Sequence, residues 1–154
     1  MWFLPEPELR RRLGGFVWFA FWALLTGVLL WLQPNPAGHG THRQLGLPPC
    51  PALLLTGRPC PGCGMTTSWC ACVHGRWSEA WAAHPLGIPT YLLFTLSAWL
   101  TLALAWRGYR WNTYHPPFNR GLLWAVGLFA LFGVGRWFLS PAQVPQLSIA
   151  DLVR

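Results

Sequence analysis

Three long apolar runs organise this chain. They are Gly14 to Leu32, "GGFVWFAFWALLTGVLLWL", Leu86 to Trp106, "LGIPTYLLFTLSAWLTLALAW", and Gly121 to Leu139, "GLLWAVGLFALFGVGRWFL". A bilayer core of about 30 Å takes about 20 apolar residues as helix, so each run has spanning length. The first exceeds a signal-peptide core, and "QPNPAGHG" after it lacks an A-x-A cleavage site; it reads as a retained anchor. Pro89 falls in the first turn of the second run, where a missing N–H costs little, and Ser140-Pro141 ends the third. Arg136, in the last turn of the third run, is expected to snorkel into the headgroups. Gly127, Gly133 and Gly135 are expected to permit close helix contact there.

The first two runs are separated by a loop, Gln33 to Pro85, too long to lack elements of its own. Gln33 to Pro49 reads as irregular, and "PALLLTG" (Pro51–Gly57) as a short apolar piece suited to the interface. From Met65 the pattern turns helical. Trp69, Val73, Trp77 and Trp81 recur at i, i+4, i+8 and i+12, with Thr67, His74 and Ser78 on the other side. That is the spacing of an interfacial or re-entrant amphipathic helix; alternatively, Gly75 ends one short helix and Ser78 caps a second. The expected fold is an all-α integral membrane protein, one domain over 1–154. It has spans at about 14–32, 86–106 and 121–139 and a cysteine-motif loop and helix at about 50–84.

Composition agrees: 53% of residues are hydrophobic and 10% charged, against roughly 25% charged in soluble domains. The net charge of +7 comes from arginines, with Glu6, Glu8, Glu79 and Asp151 the only acids. These arginines crowd the margins of apolar runs rather than forming a basic face, which argues against nucleic-acid binding. Arg10, Arg11 and Arg12 precede the first run, and Arg107, Arg110 and Arg120 lie between the second and third. The positive-inside rule puts both groups in the cytoplasm, leaving the long loop and the C-terminal tail outside. Trp2, Trp18, Trp31, Trp106, Trp111, Trp124 and Trp137 sit mostly near span ends, as in an aromatic belt.

All five cysteines lie between Cys50 and Cys72, and Cys60-Pro-Gly-Cys63 is a C-x-x-C pair followed by Gly64. Three chemistries fit. In thiol redox, Cys60 and Cys63 exchange and Cys50 is a partner. In metal binding, Cys50, Cys60 and Cys63 supply three thiolates, with Cys70, Cys72, His39, His42, His74 or His84 as a fourth donor. In a structural reading, a disulfide pins the loop, while Cys70 and Cys72 behave as small apolar residues. Thr66, Thr67 and Ser68 suit a helix start. Glu79 is the only carboxylate in the loop, which excludes a paired-carboxylate site, and no H-E-x-x-H, G-x-S-x-G or phosphate loop is present.

From Cys50 to Leu86 the sequence resembles a family of small bacterial membrane proteins, domain of unknown function 2752. Cys50, Thr56, Gly57, Cys60, Pro61, Cys63, Gly64, Met65, Thr66, His74, Gly75 and Pro85 match its pattern. Thr67 stands where members usually carry arginine, and His84 where they carry asparagine. The resemblance implies a multi-pass protein of the bacterial inner membrane, defined by this cysteine loop, and supplies no activity. The expected function is a non-enzymatic membrane component whose Cys50/Cys60/Cys63 loop is structural or engages another membrane protein. The alternatives are a thiol-disulfide oxidoreductase using Cys60 and Cys63, and a small metal-binding protein. No cofactor is required by the sequence; zinc and iron are the candidates.

Overall fold

A computed structural model describes residues 3–5, 9–111 and 116–139. Its order is β1 (Phe3–Pro5), α1 (Leu9–Trp31), a 3-10 turn (Thr41–Leu45), α2 (Pro51–Thr56), α3 (Met65–Val73), α4 (Trp77–Ala83), α5 (Gly87–Trp106), β2 (Tyr109–Trp111) and α6 (Pro116–Leu139). Three helices are long and apolar enough to cross a membrane: Arg12–Trp31, Gly87–Trp106 and Pro116–Leu139. The protein is thus an all-α membrane protein; among the described residues the only strands form a short antiparallel ribbon in which Leu4 pairs with Arg110. The ribbon joins the flank before α1 to the α5–α6 connection, so both arginine-bearing segments lie at one end of the helices. Trp2, the side chains of Arg10 and Arg11, and the tail from Ser140 fall outside the described residues.

α1 and α5 pack along their length through aromatic rings and indole hydrogen bonds. Trp18 Nε1 donates to Ser97 Oγ and Trp22 Nε1 to Thr95 Oγ1, both at 3.1 Å, while Thr26 and Tyr91 share a hydroxyl bond of 3.2 Å. Phe19 and Trp22 each meet Trp99 edge-on, and Trp18 meets Phe94 the same way. Lipid gives apolar residues no reason to leave it, so helix pairs in a bilayer rely on such close packing and interhelical hydrogen bonds. Trp18 and Trp22 therefore face a neighbouring helix, whereas Trp31 and Trp106 at the span ends stay exposed, as in a belt.

The loop between α1 and α5 carries its own helices. Gly75, at φ +71°, breaks the amphipathic run into α3 and α4, which pack on each other and on α5. Arg76 rather than Ser78 occupies the N-cap position of α4. The expected faces are also redistributed. Thr67 and Ser68 are buried, and Thr67 bonds Thr41 hydroxyl to hydroxyl at 2.8 Å. Trp69 leans on Tyr91 and Phe94 of α5, while Trp77 and Trp81 are exposed. The physical reason is the solvent: the small hydroxyl side chains find partners inside the protein, and lipid or the interface accepts the rings.

α6 stands apart. Among the described residues its backbone comes close to no other helix, and it meets the protein through the cysteine loop. Gly127 and Gly135 have open space beside them. Gly133 is a contact glycine, but against Pro61 of the loop rather than a helix: a β-carbon there would lie 2.6 Å from Pro61 Cβ. Arg136 is met by the protein itself. Its guanidinium turns into the loop, donating to the carbonyls of Cys63 at 3.0 Å and Ala83 at 2.9 Å.

Candidate metal centre

The motif residues build a folded knuckle. Cys50 is the N-cap residue of α2, and Gly57, at φ +66°, closes that helix with its N–H on Leu53 O. Thr56 Oγ1 donates to Ala52 O and accepts from the Arg58 amide, so the hydroxyl fixes the exit of α2 toward Cys60. The turn itself is held by Cys63 N–H to Cys60 O at 2.9 Å and Met65 N–H to Gly62 O at 3.1 Å. Gly64, at φ +89°, then passes under the Ala83 carbonyl and close to the Gly38 carbonyl, a place with no room for a β-carbon. Only glycine adopts that backbone at this packing distance without strain.

This path brings the three predicted thiols together. The Sγ atoms of Cys50, Cys60 and Cys63 all lie within 4.8 Å of one another, and all five cysteines are free thiols in the structure. No disulfide pins the loop. Burial raises the Cys50 thiol, but backbone N–H groups of Leu53, Cys60 and Ala52, with the Cys60 thiol, outweigh it and hold Cys50 below its ordinary 9.0. Cys60 is pushed up by burial and by donating to Cys50, against a lowering hydrogen bond from the Gly62 backbone. Cys63, 7% exposed, is pushed up to about 11 by burial and by the neighbouring sulfurs, with the Arg136 charge acting the other way. Cys50 is thus the thiol that ionises first, and its neighbours give it their protons to share.

Thr66 and Thr67 border the cavity beside the triad, together with Gly40 and His42. A second pocket bordered by Cys50 and Cys63 is lined by His39, His42 and Arg43. Cys70 and Cys72 are buried in the core outside this cluster; Cys70 donates its S–H to the carbonyls of Leu29 and Leu32 at the end of α1. His74 bonds the same Leu32 carbonyl at 2.8 Å, and Gly75 makes the turn after it. Pro85 is half-buried at the entry to α5. The motif positions thus divide between a sulfur cluster and the joints that fix it.

Two residues that a sequence cannot assign complete the surroundings. His84 is fully buried; Nε2 bonds Pro61 O at 3.2 Å and the ring lies against Phe129 and Phe132 of α6. Its Nδ1 has no hydrogen-bond partner, and burial, seconded by the Arg136 charge, pushes its pKa below 6.5. Arg136 is the other, and its bond to Cys63 O places a fixed positive charge behind the triad. Arg58 and Arg76 do not replace the arginine missing at Thr67 in any contact with the triad: Arg76 pairs with Glu79 at 2.6 Å, while Thr67 is occupied by its bond to Thr41.

Fold and site together define a multi-pass membrane protein with a three-thiol centre in its first loop. Residues 50–98 match the model of the family described as "Protein of unknown function (DUF2752)". No curated protein and no solved structure matches the chain.

Proposed function

We propose that this is a non-enzymatic membrane component in which Cys50, Cys60 and Cys63 hold a soft divalent metal ion, zinc or iron, that staples the loop and through it the third span. One observation carries this reading: three sulfurs converge from two separate segments without forming a disulfide. Tetrahedral zinc with Zn–S of about 2.3 Å spaces its sulfurs at about 3.8 Å, so the cluster needs only a small contraction to close on an ion. Backbone N–H groups aimed at Cys50 and Cys60 stabilise thiolates, which is what outer-shell partners do for bound metals. The loop lies outside the cytoplasm, where a bound ion also keeps the thiols from oxidising. The bilayer is one partner, and a second membrane protein recognising the stapled loop is the other.

The test is metal analysis of the full chain purified in mild detergent, beside Cys60→Ser. Stoichiometric zinc or iron, lost in the variant, is expected; a wild type that binds neither after loading under reducing conditions overturns the reading. Co-purification of a partner by wild type but not by Cys60→Ser tests the interaction arm. The closeness of the Cys60 and Cys63 sulfurs supports a second reading, thiol-disulfide exchange. There a Cys60–Cys63 disulfide accepts two electrons and two protons from a dithiol substrate, which leaves as its disulfide. Thiol labelling across redox buffers from about −270 to −120 mV decides it, because a pair that stays reduced throughout is no exchanger.

A further inference from the structure

Six of the chain's 11 arginines belong to the end of the α1–α5 pair that does not carry the cysteine loop. Arg10, Arg11 and Arg12 open α1, and Arg107, Arg110 and Arg120 stand around the α5–α6 connection. The β1–β2 ribbon, with Leu4 opposite Arg110 and Pro5 opposite Tyr109, ties these two segments together. The turn after α5 brings two of the charges into one place. Arg107 is the C-cap residue of α5, and Gly108 follows at φ +81°. A β-carbon on Gly108 would run into the Arg12 guanidinium, so the head of Arg12 lies over the backbone directly beside Arg107. Only glycine leaves room for an arginine of α1 to approach that turn. Glu6 and Glu8 are the acids of these two segments, so four of the six positive charges exceed what they can match. Like charges gathered in this way repel one another unless an anion joins them.

At the loop end, by contrast, Arg76 is paired with Glu79 and Arg136 donates to two carbonyls. The depth of the ribbon patch says which anion meets it. Arg107 is exposed, between Trp106 at 81% exposure and Tyr109 at 44%. Exposed indole and phenol rings at a span end sit at the level of the lipid headgroups. Arg120, also exposed, is one turn into the next span. The anion abundant at that level is the phosphodiester of a phospholipid, which a guanidinium grips through paired N–H bonds. We infer that the ribbon end is a headgroup site for an anionic phospholipid, with Arg12 and Arg107 on its phosphate. A zwitterionic lipid carries its own ammonium to compete for that phosphate, whereas a glycerol headgroup leaves it to the arginines. No residue of this site belongs to the cysteine loop, so this inference and the metal reading stand or fall separately.

The experiment is native mass spectrometry of the full chain, delipidated in mild detergent and titrated with dioleoylphosphatidylglycerol or dioleoylphosphatidylcholine. Wild type is expected to hold the phosphatidylglycerol more tightly. An arginine near an anionic lipid surface is worth about a factor of five. The double variant Arg12→Gln/Arg107→Gln should therefore bind that lipid about 25-fold more weakly, with phosphatidylcholine binding unchanged. Arg12→Lys/Arg107→Lys should keep the preference, which separates loss of charge from misfolding. Arg58→Gln, an arginine of the loop end, should match wild type. Excess glycerol phosphate should leave the bound lipid in place. Equal binding of the two lipids by wild type overturns the inference, as does a preference that survives in the glutamine variant or disappears in the lysine variant. Displacement of the lipid by glycerol phosphate overturns it too, by making the patch a site for soluble phosphate esters.

Discussion

The two halves of this membrane protein are held together by different physics. α1 and α5 adhere side chain to side chain, by indole bonds to Ser97 and Thr95 and by edge-on rings. α6 adheres to a loop, by a guanidinium on two backbone carbonyls, a glycine on a proline and two phenylalanines on a buried histidine. The first kind of contact survives local rearrangement because many small interactions share it. The second depends on Cys63, Ala83, Pro61 and His84 being in their places, and those places are set by the knuckle. The helix pair is robust, whereas the third span is only as secure as the cysteine loop.

Metal removal should separate the two most sharply. Stripping the ion with a chelator is expected to release the loop and undock α6, read as new protease sites between α4 and α6, while α1 and α5 stay paired. Structural zinc in small peptides is worth about 10–16 kcal/mol, so even a fraction of that exceeds any single contact here. Next comes Arg136→Met, which strands the Cys63 and Ala83 carbonyls; a loss of about 3 kcal/mol in detergent denaturation is expected. Gly64→Ala follows, forcing a side chain into left-handed backbone beneath Ala83 O, at about 2 kcal/mol or more with weakened metal binding. Trp22→Phe should cost about 0.6 kcal/mol, the usual worth of an interhelical hydrogen bond in a bilayer, and leave metal content unchanged. Equal loss of metal in Trp22→Phe and Arg136→Met would erase the contrast between the two halves.

Acid should act on the α6 side alone, and gently. The His84 pKa is depressed by burial, so the unfolded imidazole takes up its proton at higher pH than the folded one. Docking stability is then complete above about pH 6.5 and declines as pH falls toward the depressed value. His84→Asn should flatten that decline, measured as protease resistance of α6 against pH.

The spans and the sulfur triad were legible in the sequence for plain reasons. A bilayer demands long uncharged runs, and C-P-G-C with an upstream Cys50 keeps its thiols within a short chain distance. Arg136 was not legible, because nothing local distinguishes an arginine reaching the headgroups from one reaching Cys63, 73 positions earlier in the chain. The faces of α3 misled for a related reason: hydrophobic periodicity separates water from core, and here lipid is the third environment. Thr67 and Ser68 went inward because Thr41, Ala80 and His84 offered oxygen partners there.

The guanidinium of Arg136 also constrains how the chain is made. An arginine inside a span resists insertion by about 2.5–3.5 kcal/mol at the helix centre and less near its end. Its two acceptors belong to residues synthesised earlier, Cys63 and Ala83, in the loop region rather than beside the ribbon that joins α5 to the N-terminal flank. The carbonyls that receive this arginine are thus made before the span that carries it. A chain whose loop fails to fold leaves the guanidinium of its last span without those two acceptors.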